Sequence, residues 1–199
     1  MKKFAMIIFA AALSVLGAGD GDSDDKNNRI EHFSTRLSSF NEVHFNAGPP
    51  ASLVGAISSG AKGSFKATLD RKANVIHYEL SFEGLESDVT QGHIHFGQRH
   101  TVGGIVIWLC ETAARPAPAA VAALTPDCFT TNPRAHTVVG TITPAQVLAQ
   151  AGQGIAAGEF DEIVHAMRAG ATYANVHTAN FGPGEIRGQI RRDRGREGN

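Results

Sequence analysis

Apolar and polar residues alternate with a period of two through most of this chain. On a strand that period puts alternate side chains on opposite faces. The cleanest case is Val75 to Phe82. Ile76, Tyr78, Leu80 and Phe82 share one face, and Val75, His77, Glu79 and Ser81 share the other. Ser64 to Leu69 alternates too, with Phe65, Ala67 and Leu69 together, and Asp70-Arg71-Lys72-Ala73 joins the two runs as a hairpin turn. The same reasoning predicts strands at Phe33–Leu37, Phe40–Phe45, Leu53–Ile57, Thr90–Phe96, Gly104–Leu109, Val138–Ile142 and around Ala174–Thr178. Gly104–Leu109 is apolar on both faces, as a central strand would be.

Two segments change period. Thr143-Pro144-Ala145-Gln146 has the form of a capping box with proline at the first helical position, and predicts a short helix to about Gln150. Glu159–Ala169 places Phe160, Ile163, Val164 and Met167 at i, i+3, i+4 and i+7, one apolar stripe. Acidic Glu159, Asp161 and Glu162 open it, Arg168 closes it, and Gly170 ends it. About eight strands and two short helices predict a mainly β domain: an antiparallel β-sandwich or a barrel of Greek-key type.

The N-terminus breaks the pattern. Lys2 and Lys3 precede an apolar stretch of thirteen residues, Phe4–Leu16, and then Gly17-Ala18-Gly19. This predicts a cleaved secretory signal at 1–19, and hence a secreted or periplasmic protein with no stable membrane span afterwards. Residues 20–29 begin with four aspartates in six positions and read as a solvated acidic linker. The β domain is expected over 30–192, followed by a basic tail at 193–199. The whole chain carries 18 basic and 19 acidic residues; losing Lys2 and Lys3 leaves a charge of −3. Such a balance does not suit nucleic-acid binding. Cys110 and Cys128 are the only cysteines, and in an exported chain such a pair is expected to form a disulfide. It would close a loop of Pro- and Ala-rich sequence that cannot easily join a β-ladder.

Candidate chemistry rests on histidine. His93 and His95 stand two apart in Gln-Gly-His-Ile-His-Phe-Gly and so share a strand face. His177 lies in a second extended run, before a Gly-Pro-Gly turn. If the two runs are close, three imidazoles meet in one small volume. His77 is a further candidate, because the short link Glu83–Val89 suggests neighbouring strands. Imidazole donors favour copper or zinc. With ordinary imidazole pKa values, affinity would fall as pH drops through about 6.5. Glu185 could orient a histidine. Arg187, two residues on, reads as a structural ion-pair residue, with Glu42 as a further partner. His32, His44, His100, His136 and His165 have no partners at diagnostic spacing.

His-Ile-His with Gly97, Gly103-Gly104 and Ile105–Leu109, and then Tyr-Ala-Asn-Val-His-Thr with Gly-Glu-Ile-Arg-Gly-Gln, resemble the two halves of a CHRD domain, named for chordin. The resemblance covers Ile30 to Arg192. It implies a secreted, β-rich domain without an assigned catalytic activity, and a second reading as a protein-interaction module with another extracytoplasmic partner. A His-x-His strand in such a fold also resembles copper/zinc superoxide dismutase. However, no bridging histidine and no second cluster of two histidines and an aspartate are present. No Gly-x-Ser-x-Gly elbow and no phosphate or dinucleotide loop occurs. The reading with most support is therefore a metal-binding protein rather than an enzyme.

Overall fold

The computed structural model describes residues 30–46 and 48–193. The expected targeting segment, the acidic linker and the tail from 194 lie outside the described residues. Eleven strands are described: β1 Ile30–Ser38, β2 Val43–Asn46, β3 Ser52–Gly55, β4 Lys62–Asp70, β5 Val75–Glu83, β6 Val89–Phe96, β7 Gly104–Cys110, β8 His136–Ile142, β9 Thr172–Thr178, β10 Ile186–Gln189 and β11 Arg191–Arg192. One α-helix, α1 Phe160–Arg168, stands among them.

The main sheet runs β7-β6-β9-β10-β1-β4-β5-β8, with β11 paired to β1; β2 and β3 form a separate hairpin. Every pairing in these two sheets is antiparallel. The sheet curls until it nearly closes into a barrel. The Tyr78 hydroxyl on β5 donates across the interior to the Leu109 carbonyl on β7. The mainly β, antiparallel expectation therefore holds, with a single curled sheet as its form.

Alternation decides what lies inside. Phe65, Ala67, Leu69, Ile76, Leu80 and Phe82 pack in one core with Ile94, Ile107, Leu109, Ala174, Val176 and Ile186. The stripe of α1 joins the same core through Phe160, Ile163, Val164 and Met167. Each side chain of this size contributes roughly 1.5–3 kcal/mol by leaving water. Met167 is fully buried. Met167→Asp is expected to cost several kcal/mol, because it places an unpaired carboxylate under the helix. A urea-unfolding midpoint measures this; a midpoint unchanged from wild type would refute the packing.

The second expected helix is not there. The segment makes one 3-10 turn, Pro144–Gln146, with the Thr143 N–H donating to Gln146 Oε1 at 3.0 Å. The capping box therefore closes a single turn. The next residues dock sideways: Val147 is buried, and the Leu148 N–H donates to the Val106 carbonyl of β7. Pairing with the sheet edge takes the donor that a helix would have used.

The last residues of the expected domain are tied into the sheet. Arg191 and Arg192 pair with Ser34 and Phe33. Arg192 Nε lies 3.2 Å from Glu31, which Arg168 of α1 also engages. One buried carboxylate thus ties α1, β1 and the chain end together, and its guanidinium partners hold its pKa down.

Cys110 and Cys128 form the expected disulfide. Closing a loop of this length contributes about 3 kcal/mol in the chain-entropy model. The enclosed segment makes a 3-10 turn, Ala122–Leu124, and packs Ala117 and Val121 on Trp108 of β7. The staple therefore holds a roof over one face of β7.

Candidate metal centre

Strands β6 and β9 are covered on both faces. Every residue of β9 is buried. Ala174 and Val176 face the core, while Tyr173, Asn175 and His177 belong to the other face. Register lines up the polar partners: His93 opposes Asn175 and Trp108, His95 opposes Tyr173 and Ile105, and Gln91 opposes His177. The β6–β7 ladder shifts register just before each histidine, between Gly92 and His93 and between Ile94 and His95. Such irregularities re-aim side chains.

The result is a buried cluster of three imidazoles. His93, His95 and His177 are 0%, 7% and 5% exposed. One ring nitrogen from each lies within 4.8 Å of one from the others. His93 Nδ1 is 3.1 Å from His177 Nε2. Trp108 meets the His93 ring edge-on at 4.3 Å, and Tyr173 stacks on His95 at 4.7 Å.

Backbone carbonyls set the ring orientations. His95 Nδ1 is 2.9 Å from the Gly103 carbonyl, and His177 Nδ1 is 2.8 Å from that of Gly182. A carbonyl only accepts, so each Nδ1 carries the proton and each Nε2 presents its lone pair. Gly103 must be glycine for this: a Cβ there would fall 1.9 Å from the Phe96 carbonyl oxygen. Gly184 in the second loop has φ 135°, and its Cβ would strike the Glu42 carboxylate. The Nε2 atoms of His93 and His95 have no hydrogen-bond partner.

Burial keeps the cluster neutral. It pulls His95 and His177 down to about 4, against the help of the Gly103 and Gly182 carbonyls. It pulls His93 well below the ordinary imidazole value, and His177 and His95 push the same way. Each ring is therefore in the form that binds a cation at neutral pH.

A charged layer lies beside the rings. The Arg187 guanidinium sits 3.3 Å over the Tyr173 ring. It donates to the carbonyls of Thr101 at 2.7 Å and Gln98 at 3.0 Å, pinning the loop that delivers Gly103. Burial lifts Glu42 to about 7, although the Val43 N–H, Arg187 and Asn175 all favour its ionised form.

Three sequence expectations change. His77 is exposed on β5, opposite Thr68 and Thr141, and is not one of the group. β5 pairs with β4 and β8 rather than β6, because the Glu83–Val89 link spends its Leu85 and Val89 N–H groups on the carbonyls of Arg134 and Pro133. Glu185 touches no imidazole; its carboxylate accepts from Ser59, the Glu86 N–H and Thr178. Nor does it pair with Arg187. It precedes β10, directly after the unusual Gly184 backbone, so the two-residue repeat does not extend to it. Arg187 and Glu42 are buried, as a structural role requires, but Arg187 is held by carbonyls rather than by a carboxylate.

Sequence reasoning missed Asn175, Tyr173 and Trp108. Asn175 had a signal, since it precedes His177 by two on the same strand. His165 and His100 are exposed. His44 is half-buried, with Nε2 2.8 Å from the Gly184 carbonyl. Among the described residues no second group of candidate ligands adjoins the three histidines.

No curated protein and no solved structure matches the chain. The sequence model of the CHRD domain matches residues 33–190, nearly the whole described body with both histidine strands, and the chain therefore belongs to the CHRD domain family.

Proposed function

We propose that this chain is an exported metal-binding protein that holds one divalent transition ion, copper ahead of zinc, through His93, His95 and His177. The observation that carries the reading is the convergence of three buried, neutral imidazoles within 4.8 Å. An ion bound at about 2.0–2.1 Å in tetrahedral geometry spaces its ligands about 3.3–3.4 Å apart, so ring nitrogens already within 4.8 Å of one another need only small side-chain shifts to surround it. Nitrogen donors without thiolate favour copper over zinc by the usual order of divalent affinities. Export is supported by the Lys2-Lys3 and Phe4–Leu16 pattern and by the Cys110–Cys128 pairing. No described helix is long and apolar enough to cross a membrane.

Isothermal titration of the metal-free protein with Cu(II) and Zn(II) tests this. His93→Ala and His177→Ala should each weaken binding sharply, while His165→Ala and His100→Ala should leave it unchanged. The second reading is a protein-interaction module. One observation favours it: the β2–β3 hairpin and the turn before it expose Phe40 (73%), Phe45 (59%), Leu53 (52%) and Val54 (46%). Equal metal binding by wild type and the His93→Ala, His177→Ala double variant would leave that reading in place of the first.

A further inference from the structure

Asn175 is 2% exposed, opposes His93 across the β6–β9 ladder, and precedes His177 by two on one strand. Its Oδ1 lies 3.1 Å from His177 Nε2. The same Nε2 is 3.1 Å from His93 Nδ1. His177 has given its N–H to the Gly182 carbonyl through Nδ1, at 2.8 Å. A neutral imidazole has no second N–H. His177 Nε2 and Asn175 Oδ1 therefore face each other as two lone pairs. Only His93 Nδ1 can bring a proton to the group, and one proton cannot serve both.

Turning the amide over would give His177 Nε2 a donor, but it would move the amide nitrogen away from the side of Gly184 and the Glu42 carboxyl group, where it now lies. The flip would set the amide oxygen against the oxygens of the buried Glu42 carboxyl group instead. Buried acceptors that must share a single donor are costly, and a cation is a partner that satisfies them together.

We propose that Asn175 Oδ1 is the fourth donor to the ion, completing a closed set of three imidazole nitrogens and one amide oxygen. This rests on the metal reading above and deepens it. Four protein donors leave no open position for water or substrate, which is the coordination of a holding site rather than a catalytic one.

The test uses the intact protein loaded with Cu(II) alone, examined by electron paramagnetic resonance and proton ENDOR in H₂O and D₂O. Wild type is expected to show nitrogen couplings from imidazole and no strongly coupled exchangeable proton. Asn175→Ala should admit water, gain that coupling and lose affinity about 10- to 100-fold. Asn175→Asp keeps the shape and replaces a neutral oxygen by an anionic one, so its spectrum should shift without gaining a water signal. If Asn175→Ala does not fold, an Asn175→Asp spectrum identical to wild type overturns the assignment by itself. Wild-type-like affinity and couplings in Asn175→Ala, with binding still dependent on His93, would overturn the assignment alone. Failure of wild type to bind Cu(II) or Zn(II) would overturn the metal reading and this assignment with it.

Discussion

Copper affinity should stay nearly flat from pH 7 down to pH 5, while the metal-free protein loses about 2 kcal/mol of stability or more over the same range. Both outcomes follow from the histidines. An ordinary imidazole at pH 5 is protonated about 30-fold over its neutral form. Three such ligands would weaken binding by roughly four orders of magnitude. Here His95 and His177 titrate near 4 in the folded chain, and His93 is depressed as well, so proton competition begins only below pH 5. The expectation from sequence, a fall through 6.5, is therefore revised downward by about two pH units.

Stability moves the other way. In the unfolded chain the same rings take up protons near 6.5. Their contribution is intact above that value and is lost as pH falls toward 4. His95 and His177 each lose about 2 kcal/mol by pH 5, and His93 adds a loss of the same sign. Glu42 opposes them, because its folded pKa of about 7 exceeds its ordinary value of 4.5. Its contribution is complete below 4.5 and is lost as pH rises through 7. The histidines outnumber it, so the net change from pH 7 to 5 is destabilising. Urea unfolding of metal-free protein at pH 7, 6 and 5, beside copper titrations at the same values, measures both. A stability profile that does not fall, or an affinity that drops a thousandfold by pH 5, would show that the rings are not held neutral.

Arg187→Met should be among the most damaging single substitutions in the chain, at roughly 3–5 kcal/mol. Arg187 is one of the largest fully buried side chains. Methionine would fill part of its volume over Tyr173 but could not donate to Gln98 and Thr101, so the Thr101 carbonyl would lose the guanidinium and the Gln98 carbonyl would keep only its local contacts with Thr101. Glu42 would lose its compensating positive charge, and burial would drive it further toward the neutral form. The loop also carries Gly103, so His95 would lose its orientation and copper affinity should fall with stability. Arg187→Lys should recover little, since a single ammonium cannot reproduce the guanidinium fork. Arg36→Met on the exposed side of β1 should stay within about 0.5 kcal/mol of wild type. Denaturant unfolding of the three variants decides the matter; equal stability of Arg187→Met and Arg36→Met would refute the pinning role.

Much of this protein is legible in its sequence because strand alternation is local. Ile76, Tyr78, Leu80 and Phe82 declare their common face, and Phe160, Ile163, Val164 and Met167 declare theirs, whatever they later meet. His93 and His95 share a face for the same reason. Pairing between distant strands is not local. β6 lies between β7 and β9, and β5 between β4 and β8, through contacts that no short window contains. That topology brings His177 to His93 and leaves His77 at the surface on another strand. It also determines the end of the capping-box segment, where the edge of β7 captures Leu148 and a helix stops after one turn. Finally, the environment of the site is tertiary. The sequence names three imidazoles, but their neutrality comes from the burial of a second sheet face beneath loops that Arg187 and the disulfide hold in place. Burial and orientation, rather than residue identity, determine whether a histidine is a surface base or a buried neutral donor.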